Sequence, residues 1–241
     1  MFQPTRLRHP DNDKLRLYFE ELYQRYEVQQ KVVKGKYYPL IENYLESTVN
    51  EIISATKCQP RTFIFRADLK FPAFMERSSM HDNNHVLSRF FRFFKYELTK
   101  ASAPYRMSLR YIWAREQDTS DKPHYHLVIM LNKGVFDSIG SPLPDEFGSY
   151  TRQNIYHRMM RSWLKAMDFH HEEPLGQLIT IGEHPMNGLP WTGVLARHDW
   201  CAINEAVYVC SYLCKAYTKQ IGQGIQVFNT SQGKSLIKPD V

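Results

Sequence analysis

Long apolar runs are missing from this chain, and so are internal repeats and low-complexity tracts. The greasiest stretch, Tyr125 to Asn132, has the length of a strand and polar flanks, which argues against a membrane span. Cysteine is scarce: Cys58, Cys201, Cys210 and Cys214 form no CxxC pair, and no signal-peptide-like apolar region precedes them. Reduced thiols in a cytoplasmic protein are therefore expected. Nor is there a concentrated basic tail. The 31 Lys and Arg against 25 Asp and Glu, a net charge of +6 with a pI near 9.0, are spread along the chain and lean toward a polyanionic partner.

What is present is enough apolar material for one good core, with 43% hydrophobic and 23% charged residues over 241 positions. Aromatics reach 14%, with 15 Tyr, and serve equally as core or as a surface on which unstacked bases lie. Leu15, Phe19, Leu22, Tyr23 and Tyr26 recur at three- and four-residue spacing and predict a helix over Asp13 to Lys34, ended by Gly35. A second helix is expected from Leu40 to about Ala55. Together these give an N-terminal helical hairpin over residues 1–58, ahead of a main domain over 59–241.

From Pro60 the pattern turns β-branched and aromatic, predicting a strand over Thr62 to Leu69 closed by Pro72. A helix over Asn84 to Lys100, ended by Pro104, comes next. Arg106 to Glu116 and Pro123 to Asn132 read as an antiparallel hairpin turned at Asp118-Thr119-Ser120-Asp121. Then come a helix over Thr151 to Phe169, a strand at Leu178 to Ile181, a loop to about His198, and an amphipathic helix from Asp199 to roughly Thr218. That order fits an α+β fold, a central antiparallel sheet flanked by helices.

His124-Tyr125-His126 puts two imidazoles two residues apart on an expected strand, hence on one face, as a pair of metal ligands requires. Two satisfied polar histidines are the plainer alternative. Glu116 ends the preceding strand, and the hairpin returns it beside the pair. Two imidazoles and a carboxylate suit a divalent ion with open positions for phosphate oxygens and water, Mg²⁺ or Mn²⁺. A surface carboxylate paired with Arg115 or Lys122 is the other reading of Glu116. In the last helix Tyr208, Tyr212, Lys215 and Lys219 fall on one face, which suits either a nucleophile held near phosphate charge or a solvated helix surface.

Four segments in order carry a resemblance: Asp68-Leu69-Lys70-Phe71-Pro72, Leu109 to Gln117, Pro123-His124-Tyr125-His126-Leu127, and Ser211-Tyr212-Leu213-Cys214-Lys215. From about Pro60 to Lys219 the chain resembles the HUH endonuclease superfamily, and more narrowly the prophage YagK/YfjJ-like proteins related to replication proteins of filamentous phages. The resemblance implies an HUH/Rep-like, ferredoxin-like topology. It implies an ion on His124, His126 and Glu116, and a tyrosine, Tyr212, that attacks one DNA strand to leave a 5′-phosphotyrosine and a free 3′-hydroxyl, with Lys215 beside the phosphate. Tyr208 would correspond to the second nucleophile of two-tyrosine members, and Tyr217 lies off that face. The implied role is initiation of rolling-circle replication at an origin or hairpin in single-stranded DNA. Without a Walker A loop, unwinding would fall to a host helicase. Arg66, Lys70 and Lys219 are the candidate DNA contacts. The basic, Phe-rich segment with Arg89, Phe90, Phe91, Arg92, Phe93 and Lys95 holds either a strand or the core. A non-catalytic DNA-binding protein on the same fold is the competing expectation, and a zinc hydrolase or deaminase using the cysteines a third, though the P-C-x-x-C arrangement of deaminases is absent.

Overall fold

Alternation along Arg61 to Leu69 and His124 to Asn132 sends one set of side chains to each face of a sheet, and two helix pairs cover those faces. The computed structural model describes residues 7–33, 35–102, 107–117, 120–169 and 178–231. The expected breaks at Pro104 and Asp118-Thr119 lie outside them, as does Lys34.

The chain opens with short strands: β1 (Arg8–His9), β2 (Asn12–Tyr18), β3 (Leu22–Tyr23), β4 (Tyr26–Glu27), β5 (Lys31–Val33), β6 (Lys36–Tyr38) and β7 (Leu40–Ile41). The expected N-terminal helix over Asp13 to Lys34 is therefore corrected to a run of antiparallel pairs: β1 with β2, β2 with β7, β3 with β4, and β5 with β6. Gln24 takes φ 56° in the β3–β4 turn, and Gly35, at φ 74°, closes β5–β6. Glycine reaches that left-handed region without strain. The three- and four-residue spacing of the apolar side chains arises because Leu15 and Leu17 pack toward one cluster and Tyr23, Tyr26 and Val28 toward another. No helical hairpin forms. Only its second member exists, as α1 (Glu42–Cys58).

The main sheet holds β8 (Arg61–Leu69), β9 (Leu109–Glu116), β10 (His124–Asn132), β11 (Ile179–Ile181), β12 (Thr192–Ala196) and β13 (Phe228–Thr230). Its order is β11–β8–β10–β9–β13, with β12 on the same edge of β8 as β11, and every pairing is antiparallel. The architecture is α+β. On one face Phe63, Phe65, Leu127 and Ile129 pack with Phe90, Phe94 and Leu98 of α2 (His85–Ser102) and Met159 and Trp163 of α3 (Ile155–Ala166). On the other, Ile64, Ile112, Val128 and Met130 pack with Leu45, Val49 and Ile52 of α1 and with Ala206, Val207 and Cys210 of α4 (Trp200–Cys210).

Two further expectations are corrected. The loop before His198 contains β12, whose five residues, with only Leu195 buried, carry no clear apolar–polar alternation. The last helix stops at Cys210 and tightens into a 3₁₀ turn over Ser211–Cys214 instead of running to Thr218. Lys215 then turns extended and bridges Leu40, while Ala216 N donates to Pro39 O at 3.0 Å, so pairing with the N-terminal strands replaces the last helical turn. Among the described residues no helix is long and apolar enough to cross a membrane.

Candidate active site

The alternation of β10 sends His124 and His126 to the face shared with α4, and cross-strand register brings their partners. His124 stands opposite Glu116 on β9, and His126 opposite Asp68 on β8. His126 Nε2 lies 3.2 Å from Glu116 Oε2 and 3.1 Å from His124 Nε2. One ligand atom from each of Glu116, His124 and His126 falls within 4.8 Å of the others. On its far side, His126 Nδ1 donates to Asp68 Oδ1 at 2.6 Å. That bond leaves Nε2 facing the cluster, the carboxylate-backed imidazole common among metal-ligating histidines. The donor set, two imidazole nitrogens and a carboxylate with one imidazole oriented from behind, fits a divalent ion.

The electrostatics are those of a buried, cross-paired centre. Burial works to raise the Glu116 carboxyl, but the hydrogen bond to His126 and the charges of Lys219 and Lys215 outweigh it and hold the group well below the usual carboxylate range. Burial also pushes His126 down, yet its hydrogen bonds to Asp68 and Glu116 hold it above its ordinary value. His124, partly buried beside a second imidazole, is pushed down to about 4 and so keeps one ring nitrogen's lone pair free at neutral pH.

Tyr212 comes from the 3₁₀ turn after α4. Its ring meets His126 edge-on at 5.2 Å between centroids. The Arg66 guanidinium lies 4.3 Å over the same ring and the Lys215 ammonium 3.6 Å from its centre. Burial, then Glu116, raise the Tyr212 phenol above its ordinary value, while Arg66 works the other way. Arg66 is 5% exposed, and its Nε has no hydrogen-bond partner among the described residues. It reaches this position past Gly182, where a Cβ would stand 2.7 Å from Arg66 Cβ and 3.1 Å from Nε. Only glycine admits the arginine there.

The expected site residues divide. Glu116, His124, His126, Tyr212, Lys215 and Arg66 converge. Lys219 joins them from inside the protein: its ammonium is 3.0 Å from Glu116 Oε1 and donates to Lys215 O, so it is no surface lysine. Lys215 sits 3.0 Å from Glu116 Oε2. Tyr208 lies elsewhere, 6.3 Å between centroids from His184. Lys70 is exposed past the end of β8. Phe90 is core, and Arg89 is engaged by Asp168. Arg115 donates to the carbonyls of His81 and Asn83, and Lys122 to those of Pro72, Ala73 and Met75, so neither pairs with Glu116. Cys210 and Cys214 are buried with thiols pushed up to about 12 by burial, and they stand outside the His–His–Glu group.

Sequence reasoning missed Asp68 as the partner of His126. The strand-to-strand register joins positions 58 residues apart, and the available signal was the matching phase of β8, which places Arg66 and Asp68 on one face.

Comparison with known proteins adds lineage without assigning chemistry. The chain is 24% identical over 204 residues to the uncharacterized protein YagK of Escherichia coli strain K12, covering 78% of this chain and 91% of that protein. It is 23% identical over 126 residues to the uncharacterized protein YfjJ of the same strain, covering 52% and 56%. No solved structure matches. The profile of the YagK/YfjJ C-terminal domain matches residues 22–231, and the chain accordingly belongs to the YagK/YfjJ C-terminal domain family.

Proposed function

We propose that this protein is a metal-dependent HUH-type endonuclease that nicks and rejoins single-stranded DNA through Tyr212, serving rolling-circle replication of a phage, prophage or plasmid. The observation that carries the reading is the juxtaposition of a His–His–Glu donor set with a tyrosine ring 5.2 Å from one of its imidazoles. The split order of β8, α2, β9, β10, α3 and β11, in which β10 lies between β8 and β9, supports a ferredoxin-like, HUH/Rep-like topology.

His124, His126 and Glu116 would hold Mg²⁺ or Mn²⁺, which when bound supplies Lewis-acid polarisation of the scissile phosphate. Asp68 orients His126. Tyr212 Oη attacks phosphorus in line; the Oη–P bond forms, the P–O3′ bond breaks, the phenol proton is lost and the 3′-oxygen gains one as a hydroxyl. The Arg66 guanidinium, over the Tyr212 ring and with its Nε unpartnered among the described residues, donates to a phosphate oxygen, and the Lys215 ammonium over the ring favours the developing phenolate. The ester energy stays in the phosphotyrosine, so the 3′-hydroxyl can reverse the step and reseal the strand. Lys219 fixes Glu116 instead of touching DNA. Strand separation would come from a host helicase in the cytoplasm.

One observation favours a second reading, a DNA-binding protein without cleavage: Lys215 and Lys219 already neutralise Glu116. The deciding experiment incubates the full chain with Mn²⁺ and labelled single-stranded DNA spanning the origin of its own element. A covalent band on a denaturing gel, lost in Tyr212→Phe and His126→Ala, is the expected result. Tight binding with no adduct or nick would establish the second reading instead.

A further inference from the structure

The N-terminal strands have no part in the chemistry above, yet they border it. Gln29 N donates to Ser211 Oγ at 2.9 Å, Gln29 Nε2 to the carbonyls of Tyr208 and Val209, and Leu40 pairs with Lys215. Held between these anchors, the β5–β6 hairpin places Tyr38 against Tyr217, ring centroids 5.0 Å apart at 69°. The exposed Lys31 ammonium stands 5.6 Å from the Tyr38 ring centre and 5.2 Å from that of Tyr217. Lys215, 3.6 Å from the Tyr212 ring centre, is also 5.7 Å from that of Tyr217, so the pair of tyrosines lies directly beside the proposed nucleophile. Both rings are half-buried, and neither belongs to the three apolar clusters of the described residues.

From this juxtaposition we infer that Lys31, Tyr38 and Tyr217 form a subsite for the single strand next to the scissile phosphate, one base stacking on the tyrosine pair and Lys31 contacting the adjoining phosphate. The inference rests on the endonuclease reading for the identity of the strand. Half-open aromatic rings beside an exposed cation suit a single strand because every base offers a π face and every linkage a charge. A duplex keeps its bases stacked on one another and offers these rings nothing.

The test uses the full chain in metal-free buffer, so no chemistry intervenes, with oligonucleotides carrying 2-aminopurine at successive positions. One position is expected to lose fluorescence on binding. Tyr38→Leu and Tyr217→Leu should abolish that signal and weaken affinity roughly five- to hundredfold, by the usual range for one stacked base, and Tyr→Phe at each position should restore both. Lys31→Ala, at an exposed position, should reduce the salt slope of binding by about 0.7, as expected for one contact to a single strand. A tyrosine pair that merely fastens the hairpin would leave the fluorescence signature and the slope as in wild type, which overturns the subsite while a Mn²⁺-dependent adduct keeps the endonuclease. Binding through this cluster without any Tyr212 adduct does the reverse. A chain that binds no single strand at any salt removes both.

Discussion

Asp68 shows what one side chain contributes at this centre. Its carboxylate accepts from His126 Nδ1, and against the opposing effect of burial that bond, the His126 charge and then the Arg66 charge keep it below the usual carboxylate range. Asp68→Asn preserves shape and an accepting oxygen but removes the charge that holds the imidazole. The substitution should lower Mn²⁺ affinity by roughly tenfold or more, the usual cost of losing such a support, with the thermal midpoint little changed. Titration calorimetry on both proteins measures it; equal affinities would show that Asp68 does not orient a ligand. The histidine pair and Glu116 were legible in the sequence because strand alternation and one hairpin are local rules. Asp68 was not, since its phase on β8 matters only once the β8–β10 register is known. Lys219 was misread for a related reason: helical spacing from Tyr208 implies a common face, but the helix ends at Cys210, and the lysine folds inward to Glu116.

At the scale of elements, α4 and its 3₁₀ extension decide where Tyr212, the proposed nucleophile, stands. The N-cap is supplied by Asp199, whose side chain accepts from Ala202 N. The other end is finished by a residue from far away, Gln29, bonded at Tyr208 O and Val209 O. Gln29→Leu withdraws that donor where two carbonyls are partly enclosed, and a loss of about 1–2 kcal/mol in stability is expected. Since the proposed metal ligands Glu116, His124 and His126 lie on β9 and β10, Mn²⁺ affinity should stay as in wild type while the adduct forms more slowly, and comparing calorimetry with single-turnover gels separates the two. A parallel fall in metal affinity would mean the lesion spreads to the sheet. Helices and central strands of five or more residues were readable because they repeat their period. The N-terminal strands were not. With two or three residues each, apart from β2, they offer no repeat to detect, and the same tyrosines and leucines satisfy a helical spacing until tertiary packing divides them between two clusters.

Over the whole molecule, the sheet gives one face to α2 and α3 and the other to α1 and α4, so the strands that carry the site are covered from both sides. A boundary near residue 58 was the natural place to divide the sequence, because composition changes at Pro60. The packing crosses it. Leu45, Val49 and Ile52 of α1 bury against Ile64, Ile112 and Val128, and Tyr23, Tyr26 and Val28 join the same cluster beside α4. At about 2 kcal/mol for each large side chain, the three α1 residues alone contribute roughly 6 kcal/mol, comparable with the whole stability of an ordinary domain. A fragment of residues 59–241 should therefore lack a cooperative thermal transition and near-ultraviolet dichroism, bind a dye for exposed apolar surface, and form no adduct. Cooperative melting with adduct formation at the full-length rate would instead make residues 1–58 a dispensable cover. The expected failure has a functional counterpart, because the segment removed with α1 includes Gln29 and Leu40, which clasp Ser211 and Lys215. Folding and the placement of Tyr212 then depend on the same contacts, and restoring residues 1–58 as a separate polypeptide should recover both together.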